Sequence, residues 1–114
     1  MTWVRVAGAD ELPAGEALKA EIDGTPVCVV RLDAETVKAV HDVCSHEDEA
    51  LHEGWVEDNA IECPAHGSMF DLDSGEPTML PATRPMPSYR ARIAEGAIWV
   101  DRDQQLNDAP EPRH

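Results

Sequence analysis

The chain has 114 residues, of which 42% are hydrophobic and only 4% are aromatic. This length is typical of one domain, whose core must be filled mainly by aliphatic side chains. The net charge of −14, from 9 basic and 23 acidic residues, argues against nucleic-acid binding, because that function needs a basic face. The sequence has no apolar run long enough for a membrane span and begins MTWVRVAGADE, without a signal pattern, so we expect a cytoplasmic protein with no membrane contact.

Short strands separated by turns dominate the first part of the chain. Strands are predicted at 2–7, 16–22, 27–32 and 36–40. The Asp23-Gly24 pair predicts a tight hairpin turn between the second and third. The third is a continuous apolar run, typical of a central strand buried on both faces, and its Cys28 is predicted to be a small buried residue. Residues 10–13 form at most one helical turn.

Two further hairpins are predicted in the middle of the chain. The first covers 54–62 with its turn at 57–59, and the second covers 69–79 with its turn at 73–75. A short helical turn is possible near 49–53. His41 and His52 are interpreted as surface residues.

The C-terminal part is predicted to close the fold with one more hairpin. Strands at 88–93 and 97–100 flank a turn at Glu95-Gly96, and Tyr89 and Trp99 are interpreted as packing residues. Residues 103–114 have almost no apolar content and contain two prolines, so they are predicted to be a disordered polar tail. The predicted fold class is therefore all-β.

Two short Cys/His pairs are the strongest chemical signal. Cys44 and His46 have one residue between them, Cys63 and His66 have two, and sixteen residues separate the pairs. Two thiolates and two imidazoles could hold a tetrahedral zinc ion, or a [2Fe–2S] cluster with two Cys on one iron and two His on the other. Each pair supplies one ligand of each type, which suits an elongated two-iron core better than a single ion.

The pattern C-x-H, sixteen residues, then C-P-x-H-G-x-x-F-D resembles the Rieske signature, and the resemblance covers roughly residues 2–101. It is similar to the small Rieske ferredoxins that supply electrons to bacterial ring-hydroxylating dioxygenases. The resemblance implies one [2Fe–2S] cluster per chain, with Cys44 and Cys63 on the buried iron and His46 and His66 on the outer iron. It also implies an antiparallel, sandwich-like base within a domain of residues 1–102, and an inserted cluster-binding subdomain at about 43–80.

Departures from the high-potential members predict a low reduction potential. The places of their extra disulfide correspond to Glu49 and Ala65, and the place of a tyrosine that donates to a ligand sulfur is Phe70, although Ser68 could still donate. Fewer hydrogen bonds to sulfur lower the potential. Acidic residues in the first loop act in the same direction: Glu47, Asp48, Glu49 and Glu53. We expect about −150 mV rather than about +300 mV.

The resemblance also implies the partners. A flavin-dependent reductase would deliver single electrons and a terminal oxygenase would receive them, so the chain would be a carrier and not an enzyme. Docking is expected over the loop tips, where His46 and His66 would be exposed. The acidic charge predicts steering toward a positively charged partner. The Pro-rich segment 80–87 is predicted to be a stiff loop over the cluster.

Three alternatives stay open. The chain could be the small Rieske-like subunit of a nitrite reductase, which would form a complex with a sirohaem-containing large subunit. It could be a carrier serving iron–sulfur assembly or another redox pathway, with the same ligands. It could also be a structural zinc module, which would be colourless.

Overall fold

The computed structural model describes residues 2–45, 49–65, 67–80 and 82–111. Within these residues the chain forms ten strands, and 3₁₀ helices at Ala9–Glu11 and Leu51–Glu53. The strands are β1 (Val4–Gly8), β2 (Ala17–Ile22), β3 (Thr25–Arg31), β4 (Val37–His41), β5 (Trp55–Glu57), β6 (Ala60–Glu62), β7 (Met69–Asp71), β8 (Pro77–Met79), β9 (Ser88–Ala94) and β10 (Ala97–Gln105). This confirms the all-β prediction. No helix in the described ranges has the length and apolar character needed to cross a membrane.

Six strands form the base sheet, in the order β1-β10-β9-β4-β3-β2, and every pairing is antiparallel. The predicted turn joins β2 to β3, where Asp23 and Gly24 have φ angles of 51° and 80°. Two successive positive φ angles are what the tightest hairpin turns require. Strand β3 is buried along Val27–Val30, as its continuous apolar run predicted.

Four short strands form a second sheet, in the order β5-β6-β7-β8. Directly opposed residues on neighbouring antiparallel strands share a face, so Val56, Ile61 and Phe70 lie on one side of this sheet. That side packs against the base sheet, in a core cluster that includes Val30 and Val40. The small sheet is therefore fixed on the base by apolar packing, and both predicted hairpins are confirmed.

The structure differs from the sequence prediction at the C-terminus. Strand β10 continues to Gln105, which pairs with Tyr89, so the prediction of disorder is wrong for residues 103–105. Polar contacts hold the next residues: Asn107 Nδ2 donates to the carbonyl oxygens of Ser74 at 2.7 Å and Met86 at 2.8 Å. Hydrogen bonds, and not buried apolar side chains, order this segment. Its low apolar content therefore predicted disorder wrongly. Residues 112–114 lie outside the described part.

Candidate metal centre

The first cysteine lies in a loop that is closed at its base. Beyond the end of β4, Val43 forms an isolated antiparallel bridge with Ala50. The Cys44 amide donates to the Glu49 carbonyl at 2.9 Å, and the Leu51 amide donates to the Asp42 carbonyl at 2.6 Å. These bonds fix where the loop begins and ends, and they hold Cys44 fully buried. His46, the other predicted ligand of this loop, lies outside the described residues.

The second cysteine directly follows β6 in a tighter loop. The Cys63 amide donates to the Ser68 carbonyl at 2.7 Å, and the Gly67 amide donates to the Cys63 carbonyl at 3.2 Å. Gly67 has a φ of 76°, a conformation that residues with a Cβ resist. Cys63 is buried. His66 is also outside the described residues, so the roles predicted for both histidines stay predictions.

The fold brings the two cysteines into one packed group, although nineteen positions separate them in the sequence. Both belong to the same buried cluster, which also contains Cys28, Leu51, Phe70, Leu72, Ala82 and Met86. Buried cysteine sulfurs in an apolar surrounding suit a soft iron–sulfur core. The donor chemistry of the two described cysteines therefore fits such a group, and their role as ligands stays a prediction.

The Pro-rich segment contacts both cysteine loops. Ser45 Oγ donates to the Arg84 carbonyl at 2.7 Å, which ties the segment to the first loop. The Ala82 amide donates to Ser68 Oγ at 3.0 Å, which ties it to the second. Pro81 lies outside the described part of the chain. Ser68 Oγ accepts the hydrogen bond from the Ala82 amide, so its own hydrogen is still available for donation. The predicted donation to a ligand sulfur stays a prediction.

A carboxylate–histidine pair at the base of the first loop was missed from the sequence. Asp42 is buried, and its two carboxylate oxygens contact the His52 amide at 2.8 Å and the His52 Nδ1 at 2.7 Å. The His52 ring is still partly exposed, so its interpretation as a surface residue was incomplete. Asp42 and His52 are ten residues apart, so no local sequence pattern indicates that they form a pair.

The interpretation of His41 as a surface residue was wrong, because its ring is buried. Burial lowers the pKa of His41 below its ordinary value. Its Nδ1 accepts a hydrogen bond from the Val43 amide at 3.2 Å, so that nitrogen carries no proton. The ring is therefore a neutral packing group beside the first loop.

The model of the family described as "Rieske [2Fe-2S] domain" matches residues 2–90. The chain belongs to the Rieske [2Fe–2S] family. The ferredoxin subunit of anthranilate 1,2-dioxygenase from Burkholderia cepacia is 35% identical over 99 residues, which cover 87% of this chain and 91% of that protein. The cofactor of this Rieske protein is thus a [2Fe–2S] cluster, and its role is to carry electrons, as the sequence predicted.

Solved structures are similar over nearly the whole chain. One is in a complex of reduced oxygenase and oxidised ferredoxin in carbazole 1,9a-dioxygenase. Its matched chain has a TM-score of 0.80 and 28% identity, with 98% of this chain and 96% of that chain covered. A putative NADH-dependent nitrite reductase small subunit from Mycobacterium tuberculosis has a TM-score of 0.79 and 29% identity, with 87% of this chain and 93% of that chain covered. The Rieske fold is therefore common to both kinds of relative.

Proposed function

We propose that this Rieske protein is the ferredoxin component of a ring-hydroxylating dioxygenase system. It takes single electrons from a flavin-dependent reductase and passes them to a terminal oxygenase. The observation that carries the proposal is the similarity to the anthranilate dioxygenase ferredoxin subunit over 87% of the chain. The likeness to a ferredoxin solved together with its oxygenase gives further support.

The proposed ligands are Cys44 and Cys63 for the inner iron, and His46 and His66 for the outer iron. Both cysteines are buried, which supports their assignment to the inner position, and each lies in a loop, unlike Cys28, which belongs to the same apolar cluster but lies within β3. When bound, a cluster of this type accepts and releases one electron. The proposed cluster-binding subdomain, at about 43–80, contains both cysteine loops and the small sheet.

The surrounding residues keep the site dry and rigid. The base of each loop is closed by backbone hydrogen bonds at Cys44 and Cys63. The Pro-rich segment is bonded to both loops and places the buried side chain of Met86 in the same packed cluster as the cysteines. Exclusion of water and restricted movement reduce the reorganisation that must accompany each change of charge at the site.

Electrostatic steering is the proposed basis of partner encounter. A net charge of −14 attracts a partner with a basic docking face, and salt screens that attraction over about 10 Å at 0.1 M ionic strength. The rate of electron transfer to the oxygenase should therefore fall as ionic strength rises. A rate independent of salt would remove the steering argument.

The decisive experiment begins with absorption and electron-spin-resonance spectra of the purified protein, oxidised and reduced. A brown protein with a Rieske-type reduced signal is expected, and a colourless protein containing zinc would contradict the cofactor. Cys44→Ala and Cys63→Ala should each abolish the signal. Cys28→Ala is the matched control, because Cys28 is equally buried but lies within β3, and it should keep the signal.

The second step tests the partner. With NADH and a flavin-dependent reductase, the loaded protein should reduce the terminal oxygenase of a ring-hydroxylating dioxygenase, followed by the absorption change of the oxygenase. A stable complex with a sirohaem-containing nitrite reductase subunit, without transfer to any oxygenase, would favour the nitrite reductase alternative instead.

A further inference from the structure

The small sheet has a second face, which points away from the base. Trp55 lies opposite Glu62, Glu62 lies opposite Met69, and Met69 lies opposite Met79. Because directly opposed residues share a face, these four side chains form one row across β5, β6, β7 and β8. We call them the outer row. At about 4.8 Å between strands, the row is about 14 Å long.

The outer row exposes large apolar side chains. Trp55 is 59% exposed and Met79 is 54% exposed, and Leu80, which follows Met79 in the chain, is 76% exposed. Together they are three of the four exposed large hydrophobic residues in the described part of the chain, the fourth being Leu106. Met69, Met79 and Leu80 adjoin one another, and Glu62 separates them from Trp55 in the row. Exposed apolar surface with polar residues around it marks interaction sites. Trp55 lies on the edge strand β5, outside both core clusters of the described residues.

The middle of the outer row lies beside the candidate metal centre. Glu62 directly precedes Cys63, and Met69 directly follows Ser68. The Glu62 carboxylate lies 4.0 Å from the point where a Cβ on Gly67 would be, so it reaches the second cysteine loop. Leu80 is the first residue of the Pro-rich segment. A protein seated on the outer row would therefore also contact the second loop.

We propose that the outer row and Leu80 form part of the docking surface for the terminal oxygenase, an inference that rests on the proposed function. The oxygenase face that fits has an apolar patch with a basic side chain facing Glu62. Exposed Glu53 and Glu57 flank Trp55 and favour a basic rim on the partner. A chain similar to this one has been solved in a complex of oxygenase and ferredoxin, which is the reason for choosing an oxygenase as the occupant.

A second copy of this chain is a poorer occupant of the same surface. Two copies that met through the outer row would bring together Glu53, Glu57 and Glu62 of both chains. Like charges across an interface are repulsive, and each copy has a net charge of −14. The apolar area would favour such a dimer, but the acidic rim opposes it.

The test measures binding to the terminal oxygenase that the loaded wild-type protein reduces. Trp55→Ala should raise the Kd, measured by isothermal titration calorimetry, at least tenfold, because tryptophan is the residue type most often found as a hot spot of an interface. Met79→Ser, on the opposite edge of the same face, is the second variant and should raise the Kd in the same direction. Leu106→Ser is the matched control, since Leu106 is 55% exposed but outside the row, and its Kd should change less than twofold.

The circular dichroism spectrum, reduced spin-resonance signal and reduction potential should be unchanged in all three variants, so that weaker binding is not a consequence of a damaged site. Unchanged Kd values for both Trp55→Ala and Met79→Ser would overturn the inference. So would weaker binding to the reductase alone, or wild-type self-association in ultracentrifugation that Trp55→Ala removes. Failure of the wild-type protein to reduce any oxygenase is a different result, because it contradicts the proposed function as well.

Discussion

Gly75→Ala should loosen the Pro-rich segment, because this glycine lies where two backbones come close. Gly75 is in the turn between β7 and β8 and has a φ of 73°. A Cβ there would lie 1.9 Å from the Met86 carbonyl oxygen and 2.6 Å from Asn107 Nδ2. Those two atoms are hydrogen-bonded to each other at 2.8 Å, so the added methyl group would have to separate them. The Met86 amide also donates to the Gly75 carbonyl at 2.7 Å.

The expected loss of stability has two parts. The left-handed backbone costs an alanine about 1–2 kcal/mol, and forcing a methyl group into packed surroundings costs about 1–3 kcal/mol more. Gly24→Ala is the matched control, because Gly24 has a φ of 80° but no atom within 4 Å of its added Cβ. Gly24→Ala should lose only the first part. The two variants should therefore differ by about 1–3 kcal/mol in the free energy of unfolding.

Two measurements check this prediction. Urea unfolding followed by circular dichroism compares the stabilities of the two loaded variants. The decay of visible absorption compares their rates of cluster loss, which should be higher in Gly75→Ala because Met86 packs in the same cluster as both cysteines. Equal stabilities and equal decay rates in the two variants would refute the steric argument.

Three further predictions concern buried polar groups. Tyr89→Phe should leave the stability unchanged or raise it by up to about 1 kcal/mol, because the buried hydroxyl has no hydrogen-bond partner within the described ranges; a loss above 1 kcal/mol in urea unfolding would contradict this. His52→Ala should destabilise by about 1–3 kcal/mol, because the buried Asp42 carboxylate loses its ring partner, and His52→Gln should recover part of the loss if a side-chain donor is what matters. Burial lowers the pKa of His41, so below its ordinary value of about 6.5 the unfolded chain binds a proton that the folded chain does not. The stability should therefore decrease as the pH falls from about 6.5 toward the folded pKa, and His41→Asn, compared by urea midpoints across this range, should reduce the slope.

Local rules made most of the fold predictable from the sequence. The Asp23-Gly24 turn and the apolar run of β3 are encoded in adjacent residues, and the structure confirms both. The ligand spacing predicted a family that the comparison confirmed. These features need no knowledge of distant contacts, because backbone conformation and side-chain periodicity are sufficient.

Features that depend on distant contacts were not predictable in the same way. The Asp42–His52 pair exists because the bridge between Val43 and Ala50 returns the chain to the end of β4, and neither residue type signals that register. The tail is held by polar contacts with distant residues, among them those of Asn107 with Ser74 and Met86 and of the Leu106 amide with the Ser88 carbonyl. Its low apolar content predicted disorder, because composition measures the capacity to bury surface and not the backbone groups available elsewhere.

Features encoded in adjacent residues and features that depend on distant contacts have different roles at the site. The motif supplies the ligand chemistry. The Pro-rich segment, in contrast, is positioned by hydrogen bonds from both cysteine loops, through Ser45 and Ser68. Gly75 and Asn107 hold it from outside those loops. A relative could keep the four-ligand motif and change these contacts, and its site would then have the same ligands in a looser enclosure. Because hydrogen bonding and solvent access tune an iron–sulfur centre as strongly as its ligands do, the positioning contacts are where ferredoxins with this one motif can acquire different potentials and different lifetimes.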